Sequence, residues 1–134
     1  MPRFGRRSLD NLKEVHPKLQ ELFSVVIQHF DCVVIDGSRT VEEQRKNVAR
    51  GVSKTMKSKH LVQSDGYAHA VDVGPYPLVW TDYRGLYYFG GLVKGIAAVL
   101  GIEIRWGGDW DSDNDFVDQT FNDLVHFELV SNEA

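Results

Sequence analysis

The stretch Ala70-Val71-Asp72-Val73-Gly74-Pro75 decides how the chain is expected to fold. Its alternating pattern predicts a short β-strand that ends at Gly74-Pro75. Successive side chains of a strand point to opposite faces, so Ala70 and Asp72 share one face, whereas His69 and Val71 point to the other. The carboxylate of Asp72 is therefore expected on a different face from the imidazole of His69.

Helices and further strands are predicted on both sides of this stretch. Apolar residues at helical spacing indicate buried helices, and short apolar or alternating runs indicate strands. In chain order we expect a helical turn from Leu9 to Val15 with Ser8 as its N-cap, a helix from Pro17 to about Phe30, a strand from Cys32 to Ile35, a helix from Val41 to Arg50, a loop from Val52 to Gly66, a helix from Gly85 to Leu100, a strand from Ile102 to Trp106 and a strand from His126 to Val130. Mixed elements with short connections predict the α+β class.

Length and composition indicate one small globular domain, residues 1–134. Hydrophobic residues make up 43% of the chain and charged residues 25%, which are ordinary globular values. The net charge of -4 argues against a nucleic-acid partner, which usually requires a basic face. A chain of 134 residues is long enough for one core.

Cysteine usage and the N-terminus bear on where the protein is made. Cys32 is the one cysteine, so no intramolecular disulfide forms, and its apolar neighbours predict a buried structural thiol. The basic start Met1-Pro2-Arg3-Phe4-Gly5-Arg6-Arg7 is followed by no apolar region of a signal peptide. No run approaches the ~20 apolar residues of a membrane span. We expect synthesis in the cytoplasm, without a signal peptide.

Histidines and carboxylates cluster in two segments. A catalytic zinc ion needs three protein ligands and one open position for water, and imidazole nitrogen and carboxylate oxygen suit it. His60 and Asp72 lie in one segment, and His126 lies in the other between Asp123 and Glu128. Spacing alone leaves the existence of a metal site open, because such pairs also arise by chance.

Several ordered motifs resemble the superfamily of zinc D-alanyl-D-alanine carboxypeptidases and endolysin peptidases, which share a fold with the hedgehog signalling domain. That family carries Ser-x-His-x-x-Gly-x-Ala-x-Asp and, later, an acidic residue three positions before a histidine. The matching segments here are Ser58-Lys59-His60, His69-Ala70-Val71-Asp72, Asp123-Leu124-Val125-His126 and, for an arginine segment, Gly37-Ser38-Arg39-Thr40. The resemblance implies an antiparallel sheet with flanking helices.

Further segments are similar to the compact phage endolysins of this group, and the likeness runs over nearly the whole chain. These segments are Leu12 to Leu19, Ser53 to Met56, Trp106 to Trp110 and His126 to Leu129. A combination of ordered motifs in one short chain is far more specific than any single motif.

The chain departs from the family motif between its first two ligands. Seven residues, Leu61 to Tyr67, separate His60 from position 68, which is five more than in the motif, and position 68 is Ala rather than Gly. The extra residues are expected to bulge out as a loop. They make His69 a rival ligand, but His69 falls on a variable motif position and on the wrong strand face, so we favour His60.

The resemblance implies a role for each matching residue. One zinc ion is held by His60, Asp72 and His126, and Asp123 is the general acid and base. Glu128 shares a strand face with His126 and is the alternative acid and base, or orients an imidazole from behind.

Three further residues are candidates for contact with the substrate. Arg39 is expected to bind the substrate carbonyl or the developing oxyanion, unless it is a surface arginine beside Glu42 and Glu43. Ser58 binds a substrate carboxylate or only caps its loop. Trp106 lines the substrate cleft, unless it belongs to the core.

An acidic loop carries a separate hypothesis. Asp111, Asp113 and Asp115 alternate as in a calcium loop, but Phe116 and Asn122 stand where an EF-hand has Gly and Glu. A weak calcium site and a solvated acidic loop both fit.

The function that the resemblance implies is that of a phage endolysin. It would hydrolyse the L-alanyl-D-glutamate amide of the peptide stem of bacterial peptidoglycan and so lyse the host. D-alanyl-D-alanine carboxypeptidase activity is the alternative with the same chemistry, and a non-catalytic wall-binding domain is the alternative from another class. A purely structural zinc is disfavoured because such sites usually have four Cys or His ligands. We expect a monomer that reaches the cell wall with the help of a separate holin-type protein.

Overall fold

The protein is described by a computed structural model over residues 2–51, 58–110, 112 and 123–130. The elements in these ranges are α1 (Arg6–Leu12), α2 (Pro17–His29), β1 (Cys32–Asp36), α3 (Val41–Ala49), β2 (Ala70–Pro75), α4 (Tyr83–Leu100), β3 (Ile104–Gly107) and β4 (Asp123–Leu129). The predicted α+β class is confirmed.

The strands form one antiparallel sheet in the order β1-β2-β4-β3. The strand predicted first, β2, lies inside the sheet between β1 and β4. In its register Asp72 is opposite His126 on β4 and opposite Asp36 on β1. Residues far apart in sequence thus become direct neighbours across strands.

The two faces of the sheet differ in chemistry. On one face Val71 and Phe127 are fully buried in the core, and the ring of Phe127 packs edge-on against Phe23 of α2 and Phe89 of α4. Alternation places Asp72, His126 and Glu128 on the other face. The helices α2 and α4 therefore cover the apolar face. The carboxylates and imidazoles lie on the opposite face, which these two helices do not cover.

Side-chain caps begin three of the helices, and a glycine ends one of them. Thr40 and Glu43 form a capping box at the start of α3, each side chain accepting the other residue's backbone N–H. Asp82 accepts the N–H of Gly85 at the start of α4, and Gly101 ends that helix at φ 74°, a left-handed conformation that glycine adopts readily. At the start of α2 the Nδ1 atom of His16 accepts the N–H of Lys18.

Some predicted boundaries were wrong. Ser8 is not an N-cap, because α1 begins at Arg6 and the buried Ser8 hydroxyl accepts the N–H of Val34, which fastens α1 to β1. The strand β3 begins at Ile104, two residues later than predicted. The last strand begins at Asp123 and not at His126, because Asp123 pairs with the end of β3.

Cys32 is buried in the core, as predicted. Burial, with the nearby charge of Asp31, raises the pKa of its thiol to about 12, so the reactive thiolate is scarce at neutral pH. Among the described helices, none has the length and apolar character needed to cross a bilayer.

Candidate metal centre

Two of the proposed ligands are neighbours across the sheet. Asp72 on β2 and His126 on β4 are paired in the antiparallel register, so their side chains stand side by side on the face opposite the core. The distance from His126 Nδ1 to Asp72 Oδ1 is 3.4 Å. Alternation within each strand and the register between β2 and β4 together create this pair.

The third proposed ligand, His60, reaches the pair because the inserted loop closes on itself. The N–H of His69 donates to the carbonyl of Lys59, and Val62 and Ala68 form an antiparallel bridge. The chain turns back beyond this bridge, with Gly66 at φ 89°. His60 therefore lies beside Asp72 and His126, and it is only 3% exposed.

The three side chains turn their lone pairs toward one another. His60 Nδ1 lies 3.1 Å from the carbonyl oxygen of Gly37, and His126 Nε2 lies 2.8 Å from Glu128 Oε1. Each of these ring nitrogens faces only an acceptor and so carries the proton when the imidazole is neutral. That leaves His60 Nε2 and His126 Nδ1 as lone-pair donors, 3.2 Å apart.

The spacing of these atoms fits a zinc ion. The remaining edge, from His60 Nε2 to Asp72 Oδ1, is 3.2 Å. A tetrahedron with zinc–ligand distances of about 2.0–2.1 Å has edges of about 3.3–3.4 Å, close to all three distances. Asp72 Oδ1 is also buried and accepts no hydrogen bond of good geometry from the described residues. The donor set therefore meets the requirements of a three-ligand zinc site.

The electrostatics of this cluster favour a cation. Burial opposes the charge of Asp72, but the imidazoles of His126 and His60 outweigh it and hold the pKa of Asp72 well below its usual range. Burial likewise opposes protonation of His126, yet Asp72 and Glu128 raise the pKa of His126 to about 9. The negative charges of Asp72 and Glu128 therefore favour a cation, either a proton or a metal ion, at the imidazole of His126.

His69, the rival ligand, belongs to a different cluster. Its Nε2 atom lies 2.8 Å from Asp65 Oδ2, and His16 Nε2 lies 3.8 Å from the same oxygen. Because His16 Nδ1 already accepts the N–H of Lys18, the neutral ring carries its proton on Nε2 and presents no lone pair to a metal there. We interpret the cluster of His16, Asp65 and His69 as a structural contact that holds the inserted loop against the start of α2.

Asp123 lies at the start of β4, half-buried beside the proposed ligands. Its register partner is Gly107, where a Cβ atom would collide with the Asp123 carbonyl, so glycine permits this close approach. Burial and the negative charge of Asp72 raise the pKa of Asp123, while His126, His60 and Arg39 act in the opposite direction. A carboxyl with a raised pKa accepts and returns protons more readily near neutral pH.

Arg39 is held in place by two side chains. Its guanidinium donates to Gln44 Oε1 at 2.7 Å and to Asp36 Oδ2 at 3.2 Å. Its backbone N–H also donates to the carbonyl of His60. This anchoring disfavours the alternative of a loose surface arginine, and the charge acts on the carboxyl of Asp123.

Asp36 was not among the residues predicted for the site. It lies opposite Asp72 in the β1–β2 register. Burial is the largest influence on its carboxyl and raises the pKa of Asp36, although His60 and Arg39 favour the charged form. The sequence feature that pointed to Asp36 was its position three residues before Arg39, with which it pairs.

Comparison with known proteins identifies the family. The family model described as phage L-alanyl-D-glutamate peptidase matches residues 1–130. The chain belongs to this peptidase family. It is 30% identical over 139 residues to the L-alanyl-D-glutamate peptidase of Escherichia phage T5, covering 96% of this chain and 98% of that protein. The crystal structure of the L-Ala D-Glu endopeptidase ChiX of Serratia marcescens matches with a TM-score of 0.76 and 29% identity, over 96% of this chain and 91% of that one.

Two candidate substrate contacts of this family member, Trp106 and Ser58, have the surroundings of the alternatives considered for them. Trp106 is 5% exposed and lies in the hydrophobic core, where its indole N–H donates to the Leu124 carbonyl, so its assignment to a cleft is corrected. Trp110 instead borders the candidate site, with its ring centroid 5.3 Å from that of His126. The hydroxyl of Ser58 accepts the N–H of His60, which is the loop-capping role considered for it.

The calcium hypothesis falls on Asp111, Asp113 and Asp115, which lie outside the described residues, as does the segment from Ser53 to Met56. The calcium site of this peptidase therefore stays a prediction from sequence.

Proposed function

We propose that the chain is a zinc-dependent endolysin that hydrolyses the L-alanyl-D-glutamate amide bond of peptidoglycan. The observation that carries this proposal is the group of three lone-pair atoms on His60, Asp72 and His126, with edges of 3.2, 3.2 and 3.4 Å. Membership of the L-alanyl-D-glutamate peptidase family supports the choice of bond.

The proposed mechanism divides the work among the residues of the site. His60, Asp72 and His126 would hold the metal. Zinc in such a site lowers the pKa of a bound water to roughly 7 and polarises a carbonyl. Asp123 takes the proton of the attacking water and then delivers a proton to the leaving amine.

Arg39 and Trp110 would act on the substrate. The guanidinium, fixed by Asp36 and Gln44, provides N–H donors for the oxygen on which negative charge develops. The ring of Trp110, beside His126, provides an apolar wall for the peptide stem. Ser58 would act indirectly, by holding the loop that presents His60.

The biological setting is part of the proposal. The protein would be made in the host cytoplasm and act as a monomer on the cell wall after a separate holin-type protein has opened the membrane. The relative from Escherichia phage T5 supports a phage context.

Digestion of purified muropeptides tests the bond that is cleaved. We expect a new N-terminal glutamate, detected by amine labelling and mass spectrometry. Free D-alanine in its place would support a carboxypeptidase. Zinc binding without any product would support the non-catalytic wall-binding alternative and refute the proposed reaction. The variant Asp123→Asn is the matched control. Because it alters no proposed ligand, it should bind zinc and release no product.

Zinc affinity should depend on pH through His126. Without metal, its pKa of about 9 means that a proton occupies the imidazole at neutral pH, and zinc must displace it. The apparent dissociation constant should therefore rise by roughly tenfold for each pH unit below 9, as expected for release of one proton. Chelator competition between pH 6 and 9 measures this slope. Calorimetry in buffers of different ionisation enthalpy should detect the proton, and a flat profile without proton release would contradict the assignment.

A further inference from the structure

Glu128 stands directly behind one of the proposed ligands. It is 8% exposed, and its Oε1 atom accepts the Nε2–H of His126 at 2.8 Å. This bond fixes the imidazole so that Nδ1 faces His60 and Asp72. The orientation of a metal-binding imidazole commonly depends on such a carboxylate.

The second oxygen of Glu128 has a partner from another part of the chain. Lys59 Nζ lies 3.4 Å from Glu128 Oε2 and donates a hydrogen bond of 2.6 Å to the carbonyl oxygen of Leu129. Arg105, the cross-strand neighbour of Glu128, is farther away, with Nε at 3.8 Å, and is more exposed. A carboxylate this buried requires a compensating charge, and Lys59 is the closer of these two cations.

Lys59 also immediately precedes the ligand His60. Its carbonyl accepts the N–H of His69, which closes the inserted loop. One residue is therefore fastened through its backbone to the segment before β2 and through its side chain to β4. The backbone contact with His69 fixes the position of the neighbouring His60. The side-chain contact holds Glu128, the carboxylate that orients His126.

We propose that Lys59 is a positioning residue that aligns His60 and His126 for metal binding, through its ion pair with Glu128 and its hydrogen bond to Leu129. This inference rests on the proposed zinc site and adds a determinant outside the ligand set. An ordinary surface ion pair is the competing explanation. It contributes little to any site, because exposed charges are screened by solvent.

The test measures zinc affinity and cobalt spectra in Lys59→Met, which keeps an unbranched apolar stem of similar length and removes the ammonium group. Loss of support behind a ligand typically weakens metal binding by about 10–100-fold, and we expect at least the lower end of that range. The visible spectrum of the cobalt-substituted protein should change, since it reports the geometry of the ligands. Lys59→Arg keeps the positive charge and should bind zinc more tightly than Lys59→Met does.

Glu128→Gln serves as the second variant and keeps the test decisive if Lys59→Met folds poorly. Because Lys59 is proposed to act mainly through Glu128, Lys59→Met should weaken zinc binding by no more than about twofold when it is added to Glu128→Gln. Fully additive losses would overturn the proposal. Circular dichroism verifies the fold of each variant.

Lys94→Met is the matched control. Lys94 forms a similar ion pair, 3.2 Å from Asp109, and its side chain is 24% exposed, compared with 26% for Lys59. It should bind zinc as the wild type does. Equal losses in Lys94→Met and Lys59→Met, or wild-type affinity and spectrum in Lys59→Met, would refute the positioning role. A wild-type protein that binds no zinc would refute the proposed function itself.

Discussion

His60→Ala should purify without stoichiometric zinc and should fail to lyse cell walls. His60 Nε2 lies 3.2 Å from both of the other ligand atoms, so its removal leaves two ligands where a catalytic zinc site needs three. Metal catalysis is worth several kcal/mol, so loss of the ion should slow amide hydrolysis by roughly a thousandfold or more. Zinc is measured by atomic emission after dialysis, and activity by release of soluble muropeptides.

His69→Ala is the control that the sequence itself supplies. The two histidines flank the same inserted loop, yet the side chain of His69 is 24% exposed and pairs with Asp65. The variant should retain one equivalent of zinc and most of its activity, with only a small loss of stability from the missing contact.

The opposite pattern would overturn the ligand assignment. If His69→Ala lost its zinc while His60→Ala kept it, the ion would belong to the cluster of His16, Asp65 and His69 and not to the proposed site. Thermal unfolding of both variants, with and without added zinc, separates loss of a ligand from loss of the fold, because a ligand that binds the native state raises its melting temperature.

The strand faces of Asp72 and Val71 could be predicted because strand periodicity is simple. Alternation in the segment around Asp72 placed its carboxylate on one face and Val71 on the other, and the structure has Val71 fully buried and Asp72 beside His126. The same rule puts His126 and Glu128 on one face of β4. Local pattern suffices wherever the geometry has a fixed period.

The position of His60 could not be derived from a period. It depends on a hydrogen bond between Lys59 and His69 and on a bridge between Val62 and Ala68. These contacts join loop residues whose spacing matches no regular element. The expectation that His60 remains next to Asp72 came from the family motif, with support from the alternation that puts His69 on the other strand face.

The error at Trp106 has a different origin. The residues Ile102, Ile104 and Trp106 alternate, and all three are buried in the core. That alternation was visible in the sequence, but an aromatic side chain fits a cleft wall as well as a core. Gly107 instead allows β3 to approach β4 closely, and the strand continues to the point where it pairs with Asp123.

Asp123→Ala should keep its zinc and lose its activity. Asp123 does not belong to the group of three facing ligand atoms, so metal content should match the wild type. General acid and base catalysis contributes about 10²–10⁴-fold, and kcat should fall by a factor in that range. The combination of full zinc occupancy and lost turnover distinguishes this variant from His60→Ala.

Two further substitutions at the same position separate charge from shape. Asp123→Asn keeps the size of the side chain but cannot take a proton, so it should be as impaired as Asp123→Ala. Asp123→Glu restores the carboxyl at the end of a longer side chain and should recover part of kcat.

The pH dependence gives an independent measure of the same group. Burial and the charge of Asp72 raise the pKa of Asp123, and the unprotonated carboxylate is the form that acts as a base. The activity of the wild type should therefore fall as the pH drops through a value above that of an ordinary aspartate. Measurements at saturating zinc ensure that loss of the metal does not contribute to this decrease of activity at low pH. Full activity of Asp123→Ala, or an acidic limb unchanged in Asp123→Asn, would show that another group, with Glu128 the first to examine, moves the proton.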